Sequence, residues 1–317
     1  RRRCIQPPVP ILALSDPRAF LSVAAGLIVI SAGMQDLFHT LFHPSQLGNI
    51  SEYMTLRIWR AFRKFAPRQR LMVGPLNFLC VIVFWSASVI VGFALIYRPY
   101  MPAAFITAPG MSISAIDGFF SAINLSLSSL ITVNMGLQTD SQWLQLAMSL
   151  EAVLGFAILT ASISWLLSIY PVIEHRRSLA HEVSLLHFSE SAGLQRLEEL
   201  DYATLQSLLF GLAAQLNTVR TELSQFPISY YFQESDDKTA LAPALYYLAE
   251  IARDVSSSDR CPKMVAVCLG GSVDDLLQLI EKKYLPRTNQ SRWDTLREAL
   301  ADHGRMPLTR PRPSRAA

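Results

Sequence analysis

Charge is scarce in this sequence. Of its 317 residues only 17% are charged while 51% are hydrophobic, and the mean hydropathy is +0.27, on the apolar side of an ordinary soluble mixture. The shortage is local. Residues 71–97 (LMVGPLNFLCVIVFWSASVIVGFALIY) carry no charge between Arg70 and Arg98, and residues 142–170 carry only Glu151. A helix of about 20 such residues crosses the hydrocarbon, so both are read as spans. Residues 19–42 make a third span, whose far end bears Asp36 and His39. Cysteine is scarce as well: Cys4, Cys80, Cys261 and Cys268 have no metal or redox spacing. No GxGxxG follows a strand, and no nucleophile–base pair or metal-ligand cluster stands out, so neither an enzyme nor a bound cofactor is expected. Lys and Arg are scattered until the tail, which argues against a nucleic-acid face. Pro7, Pro8 and Pro10 break any signal-peptide core at the start, and the apolar run after them is too long for one.

Lysine and arginine are also missing from one loop. Residues 98–141 have Arg98 alone, whereas 44–70 have Arg57, Arg60, Arg63, Lys64, Arg68 and Arg70 against the single acid Glu52. Basic loops stay inside, which places 44–70 and the C-terminus in the cytoplasm and 98–141 outside. The expected location is the inner (plasma) membrane, multi-pass. Within the basic loop, Met54, Ile58, Phe62 and Phe65 share one helical face and Arg57, Arg60, Arg63 and Lys64 the other. That pattern predicts an interfacial helix on anionic lipid. Arginine at every third position is also the mark of a voltage sensor, but a sensor needs a spanning helix and acidic partners.

Residues 117–130 (DGFFSAINLSLSSL) have helical spacing, with Asp117 as N-cap or first-turn acid and Phe120, Ile123, Leu127 and Leu130 recurring on one side. At about 1.5 Å per residue they reach about 21 Å, short of the bilayer. Polar ITVNMGLQTD comes next, then a new span. A short helix entering from outside and returning as irregular backbone is a re-entrant loop, tolerated only inside protein or beside water.

On FFSAINLSLSSLITV, with its aromatic and Ser-rich helix leading into Thr-Val, the chain resembles the pore-loop cation channels, potassium channels above all. Phrases such as DLFHTLFHP, VGFALIY and EAVLGFAILTASISWLLSIY are similar to a bacterial three-span subgroup with a helical C-terminus. The resemblance covers 71–170 and implies outer helix, pore helix, filter and inner helix. It places Thr132, Val133, Asn134, Met135 and Gly136 as the selectivity filter, coordinating K+ or another monovalent cation through backbone carbonyls. The family filter reads Thr-Val-Gly-Tyr-Gly-Asp. Asn134 is the least damaging replacement for a glycine in left-handed backbone, Met135 lacks a bracing phenol, and Leu137 removes the anchoring acid. Reduced potassium selectivity is the implied result. One loop per chain cannot surround an ion, so a homotetramer is implied too. The alternative is a non-conducting scaffold or sensor with a degenerate pore.

Further residues take roles inside this frame. Glu151 is an acid in hydrocarbon and defaults to a functional reading: a cation site in the cavity, or a filter support accepting hydrogen bonds from Ser128 or Ser129. Gly155 is either a gating hinge or a close-packing glycine. Asp36, His39 and His43 share a helical face, as a weak metal candidate or as snorkelling interfacial groups. The expected whole is an all-α membrane protein, three transmembrane helices with a re-entrant pore helix and filter between the second and third, plus an α-helical cytoplasmic domain. Its segments are 1–43 (N-terminus and first span), 44–70 (basic interfacial helix), 71–170 (pore module), 171–304 (cytoplasmic helical domain) and 305–317 (disordered basic tail). What the cytoplasmic helices bind stays unassigned.

Overall fold

The computed structural model describes residues 16–42, 48–65, 67–107, 118–133, 137–194, 196–257, 263–285 and 291–311. The described chain is mainly helical: α1 Pro17–Phe42, α2 Asn49–Phe65, α3 Val73–Tyr97, α4 Phe119–Leu130, α5 Gln142–Ser191, α6 Tyr202–Gln225, α7 Leu241–Ser256, α8 Lys263–Tyr284 and α9 Arg292–His303. Strands β1 (Ile106–Thr107) and β2 (Leu137–Gln138) pair antiparallel, with Ile106 opposite Gln138 and Thr107 opposite Leu137. Three helices are long and apolar enough to cross a membrane, over Pro17–Leu41, Gln69–Tyr100 and Gln142–Ser191. α4 is apolar but shorter.

The chain divides into two compact units. The first holds α1, the start of α2, α3 from Phe78, α4, and α5 as far as Leu166. Small residues bring α1 and α3 together: a Cβ on Gly26 would strike the carbonyl of Gly92, and one on Gly33 would lie 2.6 Å from Cβ of Ser88. Ser22 Oγ donates to the Leu95 carbonyl at 2.7 Å along the same seam. Lipid tails are as apolar as leucine, so close backbone approach and interhelical hydrogen bonds are what hold such spans together.

The second unit gathers α2 from Thr55, the chain from there to Asn77, α5 from Leu167, and α6 to α9. Its core runs through Leu209, Leu212 and Leu216 of α6, Leu245, Tyr247, Leu248 and Ile251 of α7, Leu269, Val273 and Leu276 of α8, and Leu296 of α9. Capping residues set the helix ends. Asp201 accepts from the Thr204 amide at the start of α6, Ser291 from the Asp294 amide at the start of α9, and Gly304 closes α9 in the left-handed region at φ 66°.

Two expectations from the sequence change here. The apolar side of α2 does not face lipid alone, because Trp59 is buried in the core of the second unit with Leu56, Ile58 and Phe62 packed against it. An amphipathic pattern is the same whether lipid or protein covers it, so the sequence could not choose. The boundary expected at Pro171 lies close to the division between the units at Leu166 and Leu167, and the helix α5 itself runs unbroken through both to Ser191. The tail is ordered over 305–311. Arg310 reaches Glu190 at 2.6 Å and Asp254 at 3.0 Å, Arg305 pairs with Asp237, and Leu308 packs on the core. Charge composition had suggested disorder, but acids on other helices supply the partners.

Candidate functional site

α4 begins after Gly118, a residue at φ 126°, and its 12 residues extend about 18 Å, too little to cross a bilayer. Asp117, the expected cap, lies outside the described residues. The buried face of α4 is Ala122, Leu125, Ser126, Ser128 and Ser129, while Phe120 is 82% exposed on the opposite side. The chain then leaves the helix by a paired turn: the Thr132 amide donates to the Ser129 carbonyl at 3.1 Å and the Val133 amide to the Ser128 carbonyl at 2.8 Å. Such an end puts one residue in left-handed backbone, usually glycine. Here it is Thr132, at φ 59°. A β-branched residue there is a true outlier, held at about 1–2 kcal/mol. Strain of this kind points to a position kept for its side chain or its carbonyl direction.

Thr132 and Val133 are exposed in the single chain, and Asn134, Met135 and Gly136 lie outside the described residues. The far flank is Leu137–Gln138, tied by the two-stranded ribbon to Ile106–Thr107. Gln145 Nε2 adds a bond to the Thr139 carbonyl at 2.6 Å. Leu137 is thus held by backbone pairing, which the sequence did not signal.

Behind α4, Glu151 of α5 is fully buried. Tyr97 Oη, at the end of α3, donates to its Oε2 at 2.8 Å, and Ser126 Oγ is hydrogen-bonded to its Oε1. Ser126 Oγ also lies 2.9 Å from the Ile90 carbonyl, so one hydroxyl proton serves two acceptors. Ser129 donates to the Met148 carbonyl at 2.9 Å and has the Glu151 carboxylate within reach. Ser128 is turned back onto its own helix, at 2.5 Å from the Asn124 carbonyl and 3.0 Å from that of Leu125. The structure therefore brings Glu151 together with Ser126, Ser129 and Tyr97, and leaves Ser128 aside. Tyr97 and Ser126 were missed in the sequence. The available signal was a tyrosine ending an apolar span, whose hydroxyl needs a partner once buried.

Gly155 lies one turn further along α5, against the end of α4. A Cβ there would meet the Leu130 carbonyl, with Leu130 Cδ1 at 2.9 Å. The glycine is a close-approach residue that lets the third span touch the short helix.

Asp36 is 4% exposed, and its carboxylate faces donors of the chain itself. Its Oδ1 accepts from the Ile50 amide at 3.0 Å and the Ser51 amide at 3.3 Å, and its Oδ2 from Ser51 Oγ and from Trp85 Nε1 at 3.0 Å. It caps the start of α2 from α1. His43 lies outside the described residues, and among the described residues no three His, Cys, Asp or Glu side chains gather to hold a metal. The metal and snorkelling readings of Asp36 both give way to this cap, because four donors occupy its carboxylate. Of the four cations expected at lipid, Arg63 pairs with Asp302 at 2.7 Å and Lys64 sits over the Phe65 ring at 5.2 Å. Arg57 and Arg60 are exposed. Asp302 also accepts from Trp59 Nε1 at 3.2 Å and Tyr230 Oη at 3.0 Å, making it the buried hub of that corner.

Known proteins add a coarse likeness. Over 234 residues, 72% of this chain and 67% of the other, it is 24% identical to an uncharacterized membrane protein, YdjJ, of Bacillus subtilis (strain 168). No protein family and no solved structure matches it. Together with the three apolar helices, the likeness places the chain in a membrane.

Proposed function

We propose that four copies of this chain form a potassium-channel-like cation channel, conducting passively through Thr132–Gly136 with reduced preference for K+. The observation that carries the reading is α4: an apolar helix too short to span, pinned between two spans by the Glu151 carboxylate, and ending in left-handed backbone at Thr132. Irregular backbone at membrane depth needs protein or water around it, and a carbonyl-lined ion path meets that need. The third span leaves room for the tetramer: 22% of its apolar window is buried by the chain itself, as for the first span and against 44% for the second, so α5 has surface that lipid or neighbouring subunits can cover. The uneven spread of Lys and Arg supports an inner (plasma) membrane orientation with a cytoplasmic C-terminus.

The departures at Asn134, Met135 and Leu137 favour a second reading, a pore-like assembly that does not conduct. Purified protein in liposomes separates the two. Under a K+ gradient the channel reading expects cation flux and a reversal potential only partly shifted when Na+ replaces K+. An absence of flux under every gradient and pH leaves the scaffold.

A further inference from the structure

The second unit contains a cavity of about 30 Å³ lined by the polar side chains Arg176, Gln233, Glu234, His303 and Arg305 together with apolar ones such as Ile280. Three nitrogens of its lining are buried without a partner: Arg176 Nε, Gln233 Nε2 and His303 Nε2. Arg176 is only 4% exposed, and its other nitrogens are spent on the Ser229 carbonyl (2.6 Å), the Phe232 carbonyl (2.5 Å) and Glu234 (2.9 Å). The acid of the cavity is already neutralised, since Glu234 also takes Arg177 at 2.5 Å. Arg305 is engaged by Asp237 and the Glu234 carbonyl. Burial pushes the His303 imidazole down to about 4; Asp302 opposes that, while Arg176, Arg305 and Arg70 add to it. The ring is therefore neutral, with Asp302 and the three arginines acting on it in opposite senses.

Buried nitrogens without partners are costly, and here all the unpartnered atoms of the lining are nitrogens. Arg176 Nε and Gln233 Nε2 can only donate, and His303 Nε2 donates in the tautomer that carries its proton there, so an acceptor complements all three, and the Arg176 guanidinium favours a negative one. The cavity holds two or three water-sized groups, which is a carboxylate with its first carbon or two. Ile280 and its neighbours suit the aliphatic end. We infer that this cavity is a binding site for a short-chain carboxylate of the acetate class, its oxygens on Arg176, Gln233 and His303 and its methyl end on the apolar wall. The site stands whether or not the chain conducts. Arg176 belongs to α5, the helix that also carries Glu151 and Gly155, so an occupant contacts the third span's own helix.

The test uses the full chain in lipid nanodiscs, titrated with sodium acetate against sodium chloride at equal ionic strength. Saturation-transfer NMR on acetate and the thermal midpoint are the two readouts. Acetate is expected to bind saturably and raise the midpoint. Gln233→Leu, which deletes one donor at similar volume, is expected to weaken acetate binding about tenfold while its midpoint in chloride is no lower than wild type's, since an unpartnered buried nitrogen is removed. Ala299→Leu, which fills the cavity, is expected to abolish binding. No acetate effect beyond that of chloride means the cavity holds only water and overturns the inference. Equal binding of inorganic phosphate, or an unaltered acetate affinity in Gln233→Leu, overturns it as well.

Discussion

Replacing Glu151 by Ala and, separately, by Gln asks whether the carboxylate works as a hydrogen-bond acceptor behind α4 or as a charge. In the alanine variant Tyr97 Oη and Ser126 Oγ both lose their acceptor in a site with no exposure. Interhelical hydrogen bonds in membranes contribute about 0.6 kcal/mol on average and about 1.7 at most, and a stranded buried polar group costs about 1–3 kcal/mol. Ser126 retains the Ile90 carbonyl at 2.9 Å, so the tyrosine bears most of the loss. The sum is about 2–4 kcal/mol. In the glutamine variant the amide oxygen accepts from Tyr97 and the amide nitrogen donates to Ser126, whose proton turns to Ile90. That exchange costs under about 1 kcal/mol. Tyr97→Phe falls between, at about 1–2 kcal/mol. Thermal midpoints in detergent, paired with K+ flux in liposomes, give the order Gln, Phe, Ala from mildest to most severe. If Gln lost stability and flux as fully as Ala, the latch would be the wrong account and a charge in the ion path the better one.

Gly155→Ala is expected to push α5 from the Leu130 carbonyl and destabilise the protein by about 1–3 kcal/mol, as overpacking does. A flexible hinge would instead leave the midpoint unchanged and alter only the flux. Asp36→Ala removes the cap of α2 and strands Trp85 Nε1. A loss of about 2–3 kcal/mol, with faster hydrogen exchange at the Ile50 and Ser51 amides, is the expected result; unchanged exchange would refute the capping role. Acid sensitivity arises from His303, whose folded value of about 4 lies below its ordinary 6.5. The unfolded chain binds that proton first, so stability is intact above pH 6.5 and falls as pH drops toward 4, by at most about 3 kcal/mol. Chemical denaturation of wild type and His303→Gln across this window checks it: the difference between them should shrink with falling pH, and a constant difference would rule the imidazole out.

Some of this protein was settled by its sequence alone. Crossing hydrocarbon requires only a local property, about 20 apolar residues in a row, so the three spans and the one helix too short to span are legible in residues 19–42, 71–97, 142–170 and 117–130. Tertiary structure decided which polar groups meet. Any carboxylate in an apolar run needs donors, and the sequence pointed to Ser128 or Ser129 without Ser126. On a helix of 3.6 residues per turn, Ser126 and Ser129 share a face and Ser128 points elsewhere, and only packing could select that face for Glu151. The cover of α2 and the pairing of Arg310 with Glu190 were hidden for the same reason. An amphipathic stripe or a lone cation states what it needs, while its partner, often far along the chain, is chosen by the fold.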